Sequence, residues 1–194
     1  MKIIFDFDDV IFDSNAFKQR IFSGLVSSGI PSDIIKDLYI GHRATFSPFV
    51  LYKDAVEKTG LKISEKSINK SVEDLVKNVD SYVDKKIITL IKEIGEENCF
   101  IVTAGDIDFQ KLKVNASLGN VIVEENCFFV EKKKSEALKS ICEMCPNEPV
   151  IFVDDKSRYM DEANSLNLQN LHPVLYRHDG FDVLSSKIKE LSHL

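Results

Sequence analysis

The chain predicts an α/β fold: a doubly wound, Rossmann-like parallel sheet interrupted by a small α-helical insert. Three observations carry that reading. Apolar stretches of strand length recur at residues 2–7, 98–103, 121–124, 149–153 and 172–176. Segments with helical spacing follow or separate them at 84–94, 106–117, 134–144, 157–166 and 181–192, and such alternation favours parallel pairing with helices on both faces. The interval between the first two strands breaks the rule, because residues 14–83 read as helical throughout.

That interval divides into helices at 15–28, 32–40, 48–59 and 65–80. Ser47 can cap the third, with Pro48 at its first position and Gly60 as its terminator, and Ser64 is the candidate cap of the fourth. A crossover between parallel strands needs a single helix, so four constitute an insertion. The expected division is a sheet core of residues 1–14 and 81–194 with a helical bundle of residues 15–80. Such a bundle would lie over the C-terminal edge of the sheet, where open α/β folds bind their ligands.

A length of 194 residues suits one domain with a smaller insert, and 44% apolar with 29% charged residues suits a packed core. The net charge of −6 and the confinement of basic runs to Lys85-Lys86 and Lys132-Lys133-Lys134 argue against nucleic-acid binding. No apolar run approaches the roughly 20 residues that span a membrane, and no signal peptide is recognisable before the first strand, so a cytoplasmic location is expected. Cys142 and Cys145 form a CxxC pair, but no second pair or His cluster accompanies it. With Cys99 and Cys127 they are expected as free, buried or half-buried thiols.

The chemistry begins where the first strand ends. Ile3-Ile4-Phe5 runs into Asp6-Phe7-Asp8-Asp9, and three carboxylates within four positions repel one another unless a cation sits among them. Hard divalent ions such as Mg²⁺ are held by carboxylates, water and phosphate oxygens. The plainer alternative is a solvated acidic turn. A second apolar strand, Val150-Ile151-Phe152-Val153, also ends in acids, Asp154-Asp155. Between them, Cys99-Phe100-Ile101-Val102 leads into Thr103-Ala104-Gly105-Asp106, where a hydroxyl and free N–H groups at a helix start can cradle phosphate. The lysine run precedes a helix near Ser135, which would bring one ammonium to the same edge.

In this order the four features resemble the motifs of the haloacid dehalogenase (HAD) superfamily of phosphatases, phosphomutases and relatives. Asp6-Phe7-Asp8-Asp9-Val10 is similar to its DxDx(T/V) motif, Thr103 to its strand-ending Thr or Ser, a lysine before a helix to its third motif, and Asp154-Asp155 to its acidic pair. The resemblance covers the chain outside the insert, which stands where the family carries a C1 cap. It implies that Asp6 is the nucleophile, forming an aspartyl-phosphate, and that Asp8 is general acid and then general base. Thr103 and the Ala104 N–H would hold the phosphoryl oxygens. Lys134, or else Lys133 or Lys132, would neutralise their charge. Mg²⁺ would bind Asp6, the Asp8 carbonyl and Asp155, with Asp154 direct or through water.

Two departures stand out: Asp9 occupies a position where many relatives have Gly, and Tyr159 stands where a further Asp occurs in some. Asp161 is expected to be structural. Asn15 and Arg43, with His42, are candidate substrate contacts, whereas Gln110 and Lys113 are expected to brace the core. Asp8 argues against dehalogenation, since only alkoxide release calls for an acid. The implied function is a Mg²⁺-dependent phosphatase of a small phosphorylated metabolite, with Asp8 protonated as the ester is cleaved. A phosphomutase of the β-phosphoglucomutase type is the alternative, and a non-enzymatic phosphoacceptor or binding protein the third reading. Neither nucleic acid nor membrane is an expected partner, and the oligomeric state is open.

Overall fold

A computed structural model describes residues 1–42, 46–177 and 180–192. The strands are β1 (Lys2–Phe5), β2 (Cys99–Ala104), β3 (Cys127–Val130), β4 (Val150–Asp154) and β5 (Leu171–Leu175), in the spatial order β3-β2-β1-β4-β5. Every pairing is parallel. The central strands are buried on both faces, which is why they read as continuous apolar runs rather than alternating ones.

The pleat divides the core in two. Ile3, Phe5, Ile101, Ile151 and Val153 face α5 (Lys85–Ile94), α6 (Ile107–Leu118) and α9 (Gly180–Leu191). Ile4, Phe100, Val102, Val150 and Phe152 face α7 (Ser135–Met144) and α8 (Ser157–Ser165). Helices thus cover both faces, as expected of a doubly wound sheet.

Between β1 and α5 lie α1 (Ser14–Ser27), α2 (Ser32–His42), α3 (Pro48–Thr59) and α4 (Glu65–Val76). Asp13 caps α1 by accepting from Ala16 N at 2.9 Å, and Ser64 caps α4 by accepting from Ser67 N at 3.2 Å. Gly60 ends α3 at φ 70°, a left-handed conformation open to glycine. Ser47 precedes Pro48 with extended backbone, but its hydroxyl makes no capping bond. The inserted helices do not form a separate core. Phe17, Ile21, Leu25, Leu51 and Val72 belong to the same buried cluster as Phe5 and Phe7. The chain enters and leaves the insert through one rung, with Phe12 paired antiparallel to Val83. Asp13 N donates to Tyr82 O at 2.8 Å, and Asp84 N to Ile11 O at 2.7 Å.

Three boundaries differ from expectation. The fourth inserted helix ends at Val76 rather than at residue 80, and a separate 3₁₀ turn follows at Asp80–Tyr82. The apolar run at 121–124 is not a strand: Val121 N and Ile122 N bond back to Leu118 O at 2.7 and 3.0 Å, closing the end of α6. Ile122 is a buried plug, while Cys127–Val130 further on supplies β3. The first strand stops at Phe5 rather than at residue 7, because Phe7 N turns to its neighbour Asp6 Oδ1 at 2.7 Å. The cysteines are free, as expected, with Cys99, Cys142 and Cys145 buried and Cys127 half-buried. Burial pushes the Cys142 thiol up to about 11, far from a reactive thiolate. Among the described residues, no helix is long and apolar enough to cross a membrane.

Candidate active site

Sheet register assembles the site. Phe5 lies opposite both Ile101 and Val153, so the residues that follow β1, β2 and β4 emerge side by side at one edge. Asp6 N donates to Val153 O at 2.8 Å, which extends that alignment one residue past the strand. Carboxylate oxygens of Asp6, Asp154 and Asp155 consequently lie within 4.8 Å of one another.

Lys134, which directly precedes α7, enters this cluster. Its Nζ is 2.8 Å from Asp6 Oδ1 and 2.6 Å from Asp154 Oδ2, and it lies over the Tyr159 ring, 4.4 Å from its centre. Lys132 and Lys133 are exposed, so Lys134 is the member of the run that reaches the sheet edge. Burial pushes the Asp6 carboxyl up to about 7, against the pull of the Lys134 ammonium. Burial opposes the charge on Lys134, but Asp6 and Asp154 outweigh it and raise its pKa. Asp155 is raised by burial as well. Lys156 Nζ approaches Asp155 Oδ1 at 3.2 Å.

Thr103, near the end of β2, is fully buried, yet its hydroxyl has no hydrogen-bond partner. A buried hydroxyl is costly to leave unpaired, and such an orphan beside a carboxylate cluster points to a ligand oxygen. After Ala104 the chain turns at Gly105, where φ is 154° and a Cβ would fall 2.9 Å from Gln110 Nε2. Only glycine lets the turn close against that side chain. Asp106 then caps α6 by accepting from Phe109 N at 2.8 Å.

Asp8 occupies a different setting. Lys113 Nζ is 2.5 Å from its Oδ1, Gln110 Nε2 is 2.6 Å from its Oδ2, and the Ser14 hydroxyl donates to it. Burial pushes this carboxyl up, but Lys113, Ser14 and Gln110 together hold it down at about 2. Without substrate this arrangement favours the carboxylate of Asp8 over its acid, because three donors fill its oxygens. Gln110 and Lys113 do not simply brace the core. They are buried, Lys113 lies under the rings of Phe7, Phe12 and Phe109, and both point polar atoms at Asp8. Their spacing of three on the buried face of α6 was the available signal, since a buried lysine requires a partner.

Asp9 has φ 61°, a conformation that glycine adopts freely and Asp tolerates, so the acid stands in a glycine position for a backbone reason. Its Oδ1 accepts from Ser14 N at 3.2 Å and faces Asn15 Nδ2 at 3.4 Å, which places Asn15 at the rim. Tyr159 donates to Lys132 O at 3.0 Å and covers Lys134. Asp161 is exposed on α8. His42 pairs with Asp54 at 2.7 Å within the insert, and Arg43 lies outside the described residues.

The residues fit a divalent cation. Three clustered carboxylates exceed the charge of the lysines beside them, and oxygen donors of this type suit a hard ion. A cavity of about 300 Å³ opens from Asp8 and Ala104 toward the inserted helices.

No family model matches the chain, and no curated protein matches it by sequence. Solved structures do. One described as haloacid dehalogenase-like, from Burkholderia xenovorans LB400, superposes with a TM-score of 0.72 at 17% identity, over 90% of this chain and 83% of its own. A HAD hydrolase from Bacillus subtilis bound to magnesium gives 0.54 at 15% identity, over 90% and 86%. An L-2-haloacid dehalogenase from Xanthobacter autotrophicus, with chloropropionic acid covalently bound, gives 0.51 at 11% identity, over 97% and 82%. At these identities the likeness lies in the course of the backbone, and by that course the chain has the haloacid dehalogenase-like fold.

Proposed function

We propose that the protein is a divalent-metal-dependent phosphomonoesterase acting on a small phosphorylated metabolite. The observation that carries this reading is the placing of Asp6 between Lys134 and the Asp154–Asp155 pair, beside the unpartnered Thr103 hydroxyl. Asp6, Asp154 and Asp155, with the Asp8 carbonyl, would hold a divalent ion, Mg²⁺ on this reading. When bound, the ion supplies the positive charge that lets a carboxylate approach a phosphate dianion.

The chain's own groups do the rest. An Asp6 oxygen forms a bond to phosphorus as the ester P–O bond breaks, giving an aspartyl-phosphate and an alkoxide. Thr103 Oγ1 and the backbone N–H of Ala104 donate to the phosphoryl oxygens, and Lys134 favours the ionised form of Asp6 against its burial. In the second half Asp8, already a carboxylate, takes a proton from the attacking water, and Asp6 is released with inorganic phosphate.

The first half bears the mark of the Asp8 environment. An ionised Asp8 has no proton for the leaving alkoxide, so esters of acidic alcohols and phenols are the better substrates until Asp8 is freed from Lys113. The test is phosphate release from 4-nitrophenyl phosphate with Mg²⁺, its loss in EDTA, and its loss in Asp6→Asn. Chloride release from 2-chloropropionate, with no phosphate release from any ester, would overturn the proposal.

A further inference from the structure

The cavity that opens from Asp8 and Ala104 has a definite chemistry at its far side. Phe17 of α1, Tyr39 of α2, Phe46 and Phe109 of α6 line it. These rings brace one another: Tyr39 and Phe46 meet edge-to-face at 5.7 Å, as do Phe46 and Phe109 at 6.3 Å. A wall of interlocked rings is stiff, and it favours a flat apolar body over a hydroxyl-rich one.

Lys18 of α1 also lines the cavity, its ammonium 5.2 Å from the centre of the Tyr39 ring and 6.0 Å from that of Phe46. Its one polar contact is Asn15 Oδ1, at 3.4 Å, and among the described residues it pairs with no carboxylate. The other cations of this cavity are differently placed: Lys113 is matched by Asp8, Lys156 by Asp155, and Arg158 is exposed and donates to the Tyr159 hydroxyl at 3.1 Å. Among the described residues Lys18 is therefore a cation without a counter-ion, half-buried against rings that reduce its hydration. The phosphoryl group does not need it, because Lys134 and Thr103 serve the phosphoryl end.

We propose that Lys18 binds a second anionic group on the substrate, and that the preferred substrate is a small phosphomonoester with a flat apolar body ending in a carboxylate. The phosphoryl group would lie at Asp6, the body along the aromatic wall, and the carboxylate at Lys18. A volume of about 300 Å³ admits a single ring carrying those two groups and little more. The inference rests on the phosphatase reading for its catalytic arm alone.

The test compares 4-carboxyphenyl phosphate with its neutral isostere, 4-carbamoylphenyl phosphate, in wild type, Lys18→Arg and Lys18→Met. The expected kcat/KM preference for the carboxylate is about tenfold in wild type, retained in Lys18→Arg and reduced to near unity in Lys18→Met. Equal rates on the two esters in wild type, or a preference that survives Lys18→Met, overturns the proposal. If neither ester releases phosphate, the phosphatase reading fails, and the anion site is decided by calorimetry with the matching non-hydrolysable pair, 4-carboxybenzylphosphonate and 4-carbamoylbenzylphosphonate. A tenfold tighter binding of the carboxylate that disappears in Lys18→Met supports the site. Equal affinities, or no binding, remove it.

Discussion

Asp6 and Asp8 are two residues apart, the first buried and the second half-buried, each paired with a buried lysine, and they behave in opposite ways. Asp6 shares Lys134 with Asp154 and has Asp155 nearby, so negative charge is in excess and burial pushes its carboxyl up to about 7. Asp8 has Lys113 to itself and two further donors in Gln110 and Ser14, and it is held at about 2. One lysine beside one carboxylate fixes a charge, whereas two lysines, Lys134 and Lys156, among three carboxylates leave room for another cation. The ratio of charges, rather than the residue types, separates a reacting group from a fixed one.

Asp6→Asn tests the first half of the contrast most severely. It should lower phosphate release by about a thousandfold or more, since the bond-forming oxygen is lost. In the metal-free protein the same change should leave stability intact or raise it. A carboxyl raised by burial weakens the fold as pH climbs from about 4 toward 7, because only the unfolded chain ionises freely there, and Asn removes that slope. Denaturant unfolding at pH 5 and pH 7 reads both effects.

Lys134→Met comes next. It leaves Asp6 and Asp154 as buried acids without their cation, with an expected cost of about 3–5 kcal/mol at pH 7. The deficit should shrink at pH 5, where the orphaned Asp6 carboxyl can take up a proton. A cost independent of pH would mean that Lys134 acts by packing alone.

For Asp8 the sign reverses. Its pKa is depressed, so its contribution is complete above about pH 4 and fades as the pH falls through about 2. The magnitude is about 2 kcal/mol. Acid titration of stability should show this limb in wild type and not in Asp8→Asn.

The smallest effect sharpens the comparison furthest. Lys113→Met should free Asp8 to bind a proton and raise alkyl-phosphate turnover relative to aryl-phosphate turnover by about tenfold. An unchanged ratio would show that Asp8 donates no proton to the leaving group.

The sheet, its carboxylate ends and the approach of one lysine from the run 132–134 were legible in the sequence because each depends on local pattern. An apolar run that stops in acids states its own position, and parallel register does the rest. Three things were not legible. The run at 121–124 has strand composition, but Val121 and Ile122 satisfy their N–H groups on the preceding helix. The clamp on Asp8 joins residues more than one hundred positions apart, and nothing in α6 announces which carboxylate its buried lysine meets. The aromatic wall draws single residues from α1, α2, α6 and the segment before α3, a convergence that only tertiary packing creates.

The single rung joining Phe12 to Val83 has a mechanical consequence. Both passages of the chain between sheet and inserted helices are fastened there, by the bonds from Asp13 to Tyr82 and from Asp84 to Ile11. Phe17, Ile21, Leu25, Leu51 and Val72 share one buried cluster with Phe5 and Phe7, so packing ties the insert to the sheet beyond that rung. Prising the two apart would wet apolar surface on both sides at once, and the roof over the acidic edge is therefore as firm as the floor.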